Sequence, residues 1–457
     1  MFRIRTFIIL MLKTGDELFL SSELSFYIIS LGCSKNLVDS ERINGEMISA
    51  GFTPSISSDD ADIIIINTCG FIKDAKEESI EVIFDAASLK ESSARKKNPL
   101  EFPGKKIAAV GCLTKRYFDE IKKDIPEIDF LYSIPDSSFV PQMASAFNIR
   151  INKIKSERRK LYSNLPYSYI KISDGCSNNC SYCAIPLIRG GHKPFDPEFI
   201  YSEALNAVKN GALELVIIAQ DIASYKWGDI NLTRIVNRIS EIEGLRWIRL
   251  LYCHPDNMTD DIIELISQNE KVVPYIDIPF QHINSRILAS MGRKGNYSIY
   301  MELVKKLRSR VENIVIRSTF MTGYPGETDS EFNEIIQFLK EARLDKVGCF
   351  MFSPEDDTKA FLLDDNVPAE KKQARYDAVM SLQRDISAEK MKSFIGAELD
   401  VIVEESIDKE TCIGRSIYDA PEVDGVFYLT CDSQRVNSIV RARVLDAYEY
   451  DLIGEIL

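Results

Sequence analysis

Short apolar runs alternate with amphipathic stretches over the first third of the chain. Phe26–Leu31, Ile63–Ile66 and Ile107–Val110 read as strands, while Ser40–Ala50, Ala75–Leu89 and Tyr117–Lys123 carry the helical repeat. Strands alternating with helices predict a parallel sheet with helices on its faces. Lys90–Lys106 is rich in Ser, Lys and Pro and reads as a surface loop. Ile151–Lys160 is basic and polar, as a linker would be.

A second βα series follows. Tyr169–Ile172, Leu215–Ala219, Trp247–Leu251, Tyr275–Ile278, Val315–Thr319 and Val347–Phe352 are candidate strands. They are separated by helices at Pro197–Asn210, Leu232–Ile242, Asp260–Gln268, Tyr297–Val311 and Ser330–Ala342. Six strands with helical crossovers predict a partial (β/α) barrel, short of the eight needed for closure. A long helical stretch, Ala369–Lys392, ends this part. Beyond it the pattern changes to short strand-like runs, Glu398–Val403, Thr411–Ser416, Val426–Leu429 and Ser438–Leu445, separated by polar turns. A small antiparallel β-barrel is expected there. The organisation is therefore an extension over 1–24, an α/β domain over 25–150, a linker over 151–168, a partial barrel over 169–393 and a small barrel over 394–457.

Composition adds bounds. The 457 residues suit about three domains at roughly 150 residues each. Fifty-six basic against 69 acidic side chains give −13, which disfavours nucleic acid as the main partner and favours a small molecule or a basic protein. The final barrel alone holds 14 Asp and Glu against 5 Lys and Arg, a balance of −9. Ten cysteines in a long chain without an export signal point to a reducing cytoplasm and to metal. The run Met1–Leu12 has basic residues before apolar ones but stops at Lys13 without a small-residue cleavage site, so it reads as an extension. No stretch is long enough to cross a membrane.

The chemistry lies in two sets of three cysteines. Asp174-Gly-Cys-Ser-Asn-Asn-Cys-Ser-Tyr-Cys183 places Cys176, Cys180 and Cys183 on one short loop after the first barrel strand. A 4Fe–4S cluster takes four ligands, so three thiolates leave one iron for a non-protein ligand. A zinc knuckle is the alternative, but it requires a fourth protein ligand. Cys33, Cys69 and Cys112 are far apart, yet each follows a predicted parallel strand and abuts a glycine. The carboxyl ends of strands in an open α/β sheet share one edge. A second three-thiolate cluster is therefore expected, against the alternative of three buried strand-end cysteines. Cys253, Cys349, Cys412 and Cys431 read as small buried hydrophobes.

The spacing of three and then two residues between thiols resembles the radical S-adenosylmethionine superfamily. The resemblance implies that S-adenosylmethionine chelates the open iron and, on reduction by an electron donor, yields a 5′-deoxyadenosyl radical. It also implies that Tyr182 borders the adenine. The order of parts resembles the methylthiotransferase family: an N-terminal cluster domain, a radical domain and a terminal barrel called TRAM. It covers nearly all of the chain from Ser25 onward. Ser30-Leu-Gly-Cys-Ser-Lys-Asn-Leu-Val-Asp-Ser-Glu41 resembles the branch acting on a ribosomal protein. So do Tyr275-Ile-Asp-Ile-Pro-Phe-Gln-His282, Arg317-Ser-Thr-Phe-Met-Thr-Gly-Tyr-Pro-Gly-Glu327 and Asp419-Ala-Pro-Glu-Val-Asp-Gly425. The implied reaction is methylthiolation of an aspartate β-carbon in small-subunit ribosomal protein S-twelve, with S-adenosylmethionine as both methyl donor and radical source. Two departures stand out: Pro194 replaces the family's serine, and Phe352-Ser-Pro-Glu-Asp-Asp-Thr358 replaces a tyrosine and an acidic–glycine run.

Other residues fall at strand ends. Gln220 and Asp221 are candidate cofactor contacts, with a helix cap as the alternative for the pair. Arg317 and the turn holding Gly323 and Gly326 are candidates too, with a purely geometric turn as the alternative. His254 and His282 also follow strands and read as structural. The acidic barrel points away from RNA phosphates and towards a basic ribosomal protein or the small subunit. A transfer-RNA methylthiotransferase and a non-catalytic iron–sulfur ribosome-binding protein are the competing readings.

Overall fold

Ile63, Ile64, Ile65 and Ile66 are all fully buried, which a strand achieves only between two covering layers. In the computed structural model, which describes residues 24–93, 104–154, 159–161, 165–431 and 433–457, they form the centre of a parallel sheet. Its strands are β1 (Ser25–Ser30), β2 (Thr53–Pro54), β3 (Ile63–Thr68), β4 (Lys106–Gly111) and β5 (Phe130–Leu131), in the order β2-β1-β3-β4-β5. Ile63 and Ile65 join the core with helices Ser34–Ala50 and Phe139–Ala146, and Ile64 and Ile66 join the core with helix Lys73–Ser93.

Several elements differ from the sequence expectation. Helix Ser34–Ala50 starts six residues earlier than expected, directly after Cys33. Of the expected loop Lys90–Lys106, the first four residues belong to the helix, Lys106 opens β4, and residues 94–103 lie outside the described residues. The helix expected over Tyr117–Lys123 runs from Phe118 to Asp124, and a short helix that was not expected, Cys112–Arg116, precedes it, with Tyr117 out of helical conformation between them. The two-residue edge strands β2 and β5 are too short to leave a pattern. The expected 1–24 extension lies outside the described residues apart from Leu24. This sheet and its helices belong to a first unit, residues up to Ser163 together with Ile185–Gly190; the remainder forms a second.

The second unit contains β6 (Tyr167–Lys171), β7 (Ser173–Asp174), β8 (Lys193–Pro194), β9 (Glu214–Ile218), β10 (Lys226–Trp227), β11 (Ile230–Asn231), β12 (Trp247–Leu250), β13 (Val272–Asp277), β14 (Val315–Thr322) and β15 (Lys346–Met351). Six of these form one open parallel sheet in the order β15-β14-β13-β12-β9-β6. Ile170, Ile217, Ile248, Ile276 and Ile316 face the helices and make one large core. The other face carries Tyr167, Tyr169, Glu214, Arg249, Tyr275, Arg317 and Lys346, in register across neighbouring strands. Helix Ala369–Lys392 follows, as expected.

Strands β16 (Glu398–Ser406), β17 (Thr411–Ser416), β18 (Phe427–Thr430), β19 (Ser438–Ala447) and β20 (Leu452–Ile456) close a barrel in the order β16-β17-β18-β20-β19. It is not wholly antiparallel. The last strand, absent from the sequence reading, inserts between β18 and β19 and therefore runs parallel to β18. Cys412 and Cys431, read as solitary hydrophobes, are joined by a disulfide with Cα atoms 5.8 Å apart. Antiparallel pairing of β17 with β18 brings the two together, a proximity that their separation of 19 residues conceals.

The barrel segment Arg415–Asp424 lies against the polar face of the six-stranded sheet. Glu214 accepts from Arg249 Nε and Arg415 Nη2, each at 2.6 Å. Lys346 Nζ donates to Asp419 at 2.6 Å, and Tyr275 Oη to Asp424 at 2.7 Å. Among the described residues, no helix is long and apolar enough to cross a membrane.

Candidate functional site

β1, β3 and β4 are neighbours, so their carboxyl ends lie side by side. Cys69 and Cys112 follow β3 and β4 directly, and Cys33 comes three residues after β1 as the N-cap of helix Ser34–Ala50. The glycines beside them make room. A Cβ on Gly32, at φ +85°, would stand 2.6 Å from both Cβ and Sγ of Cys69. A Cβ on Gly111 would stand 2.5 Å from Thr68 O. Burial pushes the Cys69 thiol up to about 12, and Cys33 and Cys112 as neighbouring thiolates push in the same direction. Three free thiols that feel one another's charge fit a cluster, whose irons would relieve that repulsion.

Cys112 has further partners. Arg189 Nη2 donates to Cys112 Sγ at 3.5 Å and to Asn36 Oδ1 at 2.8 Å, while Nη1 donates to Asp39 at 2.9 Å. Burial raises the Cys112 thiol, and Arg189 opposes that rise. Neither Arg189 nor Asn36 is a candidate site residue from the sequence; the signals are the Arg189-Gly pair after the cysteine loop, which the family commonly has, and the place of Asn36 in the Ser30–Glu41 stretch.

In the second unit, the loop of Cys176, Cys180 and Cys183 follows β7, with all three thiols free and partly exposed. Cys176 Sγ accepts from Asn178 N at 3.5 Å, and Cys180 Sγ lies 4.0 Å from His254 Nε2. Arg293 is buried beside Cys180 and Tyr182. Burial raises the Tyr182 phenol, which Arg293 opposes. These donors and soft sulfurs fit a 4Fe–4S cluster. Among the described residues, no three His, Cys, Asp or Glu side chains gather around a single ion.

Asp221, expected at the cofactor or as a cap, organises the loop. Oδ1 accepts from Ala223 N and His254 N, each at 3.1 Å, capping the turn Ile222–Ser224. Oδ2 accepts from Asn178 at 2.9 Å, Asn257 at 2.6 Å and the Ser224 hydroxyl. Burial pushes its carboxyl up, but these donors hold it below the ordinary range. Gln220 Oε1 beside it is buried and has no hydrogen-bond partner among the described residues.

Arg317 does not stand at the strand's end. It is the third residue of β14, 3.4 Å from Asp277 and 3.5 Å from Asp424 of the barrel segment. Gly323 (φ +71°) and Gly326 (φ +76°) make the turn after β14, whose amides donate to Glu327 and to Asn366. His282 Nδ1 accepts from Ile283 N and Asn284 N, so its proton sits on Nε2, 3.6 Å from Glu327. Pro194 lies in β8, whose pairing with β7 brackets the cysteine loop.

An open parallel sheet with three free cysteines on the loop after its first strand is the arrangement of the Radical SAM superfamily, which matches residues 170–339. That class implies a 4Fe–4S cluster and S-adenosylmethionine. Residues 25–133 match the uncharacterized protein family UPF0004, and 395–457 the TRAM domain. The chain is similar to the ribosomal protein uS12 methylthiotransferase RimO of Natranaerobius thermophilus, 38% identical over 443 residues, covering 94% of this chain and 98% of that one. Its likeness to the RimO of a Thermoanaerobacter species is 40% over 446 residues, 94% and 99% of the two chains. The chain belongs to the radical S-adenosylmethionine methylthiotransferase family. Among solved structures, the radical S-adenosylmethionine methyltransferase TsrM of Kitasatospora setae aligns with a TM-score of 0.53 over 72% of this chain and 73% of that chain. At 12% identity, what the two share is the fold.

Proposed function

We propose that this enzyme methylthiolates the β-carbon of an aspartate in ribosomal protein uS12. The observation that carries the reading is similarity, at 36 to 40% identity and over 93 to 94% of the chain, to relatives that bear the uS12 methylthiotransferase name. In this reading Cys176, Cys180 and Cys183 hold one cluster, and Cys33, Cys69 and Cys112 hold a second. Tyr182 and Gln220 border the S-adenosylmethionine, and Gly323 and Gly326 let the backbone of the turn approach it. When bound, the first cluster supplies the electron that cleaves S-adenosylmethionine to the hydrogen-abstracting radical. Asn178, Asp221 and Asn257 hold the cysteine loop in shape, and Arg293 sets a positive charge beside the Cys180 sulfur. Arg317 serves the docking of the barrel segment instead of the cofactor.

Mass spectrometry of ribosomal proteins and of digested transfer RNA from a deletion strain tests the substrate. The mass of one methylthio group should be missing from uS12 and return on complementation. Loss of a methylthiolated nucleoside with uS12 intact would overturn the choice in favour of the transfer-RNA reaction. Failure of reduced, reconstituted protein to release 5′-deoxyadenosine from S-adenosylmethionine would favour a binding protein.

A further inference from the structure

Arg189 is a buried cation whose surroundings are more than an ion pair. Asp39 occupies Nη1 at 2.9 Å, while Nη2 is turned to Asn36 Oδ1 at 2.8 Å and Cys112 Sγ at 3.5 Å. Asn36 is itself locked, because its Nδ2 donates to Leu31 O and Thr68 O, each at 3.0 Å. Its oxygen is thereby aimed at the guanidinium, which fixes the fork against the sulfur. Asp39 and Asn36 both come from the helix that Cys33 caps, and Cys112 opens the helix after β4. One guanidinium therefore ties together the loops of two of the three N-terminal cysteines. Its own helix, Ile185–Arg189, starts two residues after Cys183 yet is part of the first unit.

We propose that Arg189 is a positioning residue for the N-terminal cluster: it fixes the Cys112 sulfur and raises the reduction potential of the iron held there. The inference rests on the two-cluster reading above. Thiolate ligands make such a cluster anionic, and reduction adds one more negative charge. A buried cation within hydrogen-bond reach of a ligand sulfur stabilises the reduced form more than the oxidised form. Hydrogen bonding and net charge around the sulfurs are the protein's means of setting the potential. The nearby carboxylate of Asp39 acts in the opposite sense, so the pair sets the potential jointly.

The test uses the full chain with Cys176, Cys180 and Cys183 changed to Ala, reconstituted anaerobically, so that only the N-terminal cysteines can hold a cluster. Iron content is measured first, then the midpoint potential by redox titration followed by electron paramagnetic resonance. Arg189→Met should shift the midpoint to lower potential. Arg189→Lys, which keeps the charge but loses the fork, should restore part of that shift. Asp39→Asn should move the midpoint upward. A merely structural ion pair would not give opposite signs for its two halves. Should Arg189→Met fail to hold a cluster, the opposed shifts of Arg189→Lys and Asp39→Asn carry the test. Iron bound with unchanged midpoints in these variants overturns the role of Arg189. No iron in the parent triple variant would instead refute the second cluster itself, and the inference with it.

Discussion

Glu214 is the residue whose removal should be felt most strongly through the second unit. Its carboxylate lies between Arg249 and Arg415, with all three side chains at most 2% exposed. Glu214→Ala leaves two guanidinium groups facing each other without water. Removing one partner of a buried ion pair costs about 3–5 kcal/mol. Arg249 would retain Ile417 O and Arg415 would retain Glu404 and Asp419 O, so both cations stay in place instead of swinging out. At ~2–4 °C per kcal/mol for a large domain, the second unit should melt roughly 6–20 °C lower. Thermal unfolding of the full chain, followed by circular dichroism in matched cluster-loaded states, measures this. A double-mutant cycle with Arg415→Met should show coupling on the order of 1–3 kcal/mol. A Glu214→Ala protein within about 1 kcal/mol of wild type would mean that the arginines find water, and would refute the reasoning.

The same group gives a pH dependence with a definite sign. Burial pushes the Glu214 carboxyl up, but Arg249 and Arg415 outweigh it and hold the group below its ordinary value of 4.5. A carboxyl with a lower pKa in the folded than in the unfolded state contributes stability that is fully present above the unfolded value. That contribution is lost as pH falls through the folded value. The stability gap between wild type and Glu214→Gln should therefore be widest near neutral pH and shrink below about pH 4.5.

Three other outcomes are expected. Thiol titration of cluster-free, denatured protein should find eight reactive cysteines before reduction and ten after, because Cys412 and Cys431 are paired; ten before reduction would exclude the pair. Reduction should cost the barrel about 3 kcal/mol, the scale for a closed loop of roughly this size. Gly32→Ala places a Cβ against Cys69 and adds about 1–2 kcal/mol of left-handed backbone strain. It should lower iron content by about half while 5′-deoxyadenosine formation persists; full iron content would count against convergence of the N-terminal cysteines. Asp221→Ala removes the acceptor shared by Asn178, Asn257 and Ser224, at about 2–3 kcal/mol. Iron should then leave the Cys176 loop faster on chelator challenge, and an unchanged rate would show that the loop holds its shape without Asp221.

Continuous apolar runs such as Ile63–Ile66 made the parallel sheets legible, because burial on both faces leaves no other pattern. Cysteines at strand ends were legible for the same reason: strand direction fixes which edge they share. Pairings remote in sequence were not. Glu214 meets Arg415 across 201 residues and Arg189 meets Asp39 across 150, and each alone reads as an ordinary surface charge. β20 lacked a regular alternation and was missed, which also hid the parallel pair inside the barrel. The strand-end position expected for Arg317 does not hold, because its strand continues for five residues between Arg317 and the Gly323 turn, an extension the sequence pattern does not mark.

The choice between protein and RNA as substrate changes basis once the barrel's charges are located. Its 14 acids against 5 bases overstate what a partner meets. Asp419 is paired with Lys346, Asp424 with Tyr275 and Arg317, Glu404 with Arg415, and Glu422 bonds Tyr167. Asp419, Asp424 and Glu422 hold the barrel segment to the sheet, and Glu404 pairs within the barrel. The bases are committed as well. Arg415 is buried in the same network, and Arg441 and Arg443 are engaged by Glu398 and Asp400. Glu405, Asp408, Glu410, Asp446, Glu449 and Glu455 remain exposed. Gripping RNA requires cations released to phosphates, and here three of the five lie against carboxylates. A basic protein segment would instead meet exposed acids, so what the barrel adds to the similarity argument lies in where its charges sit and not in their total.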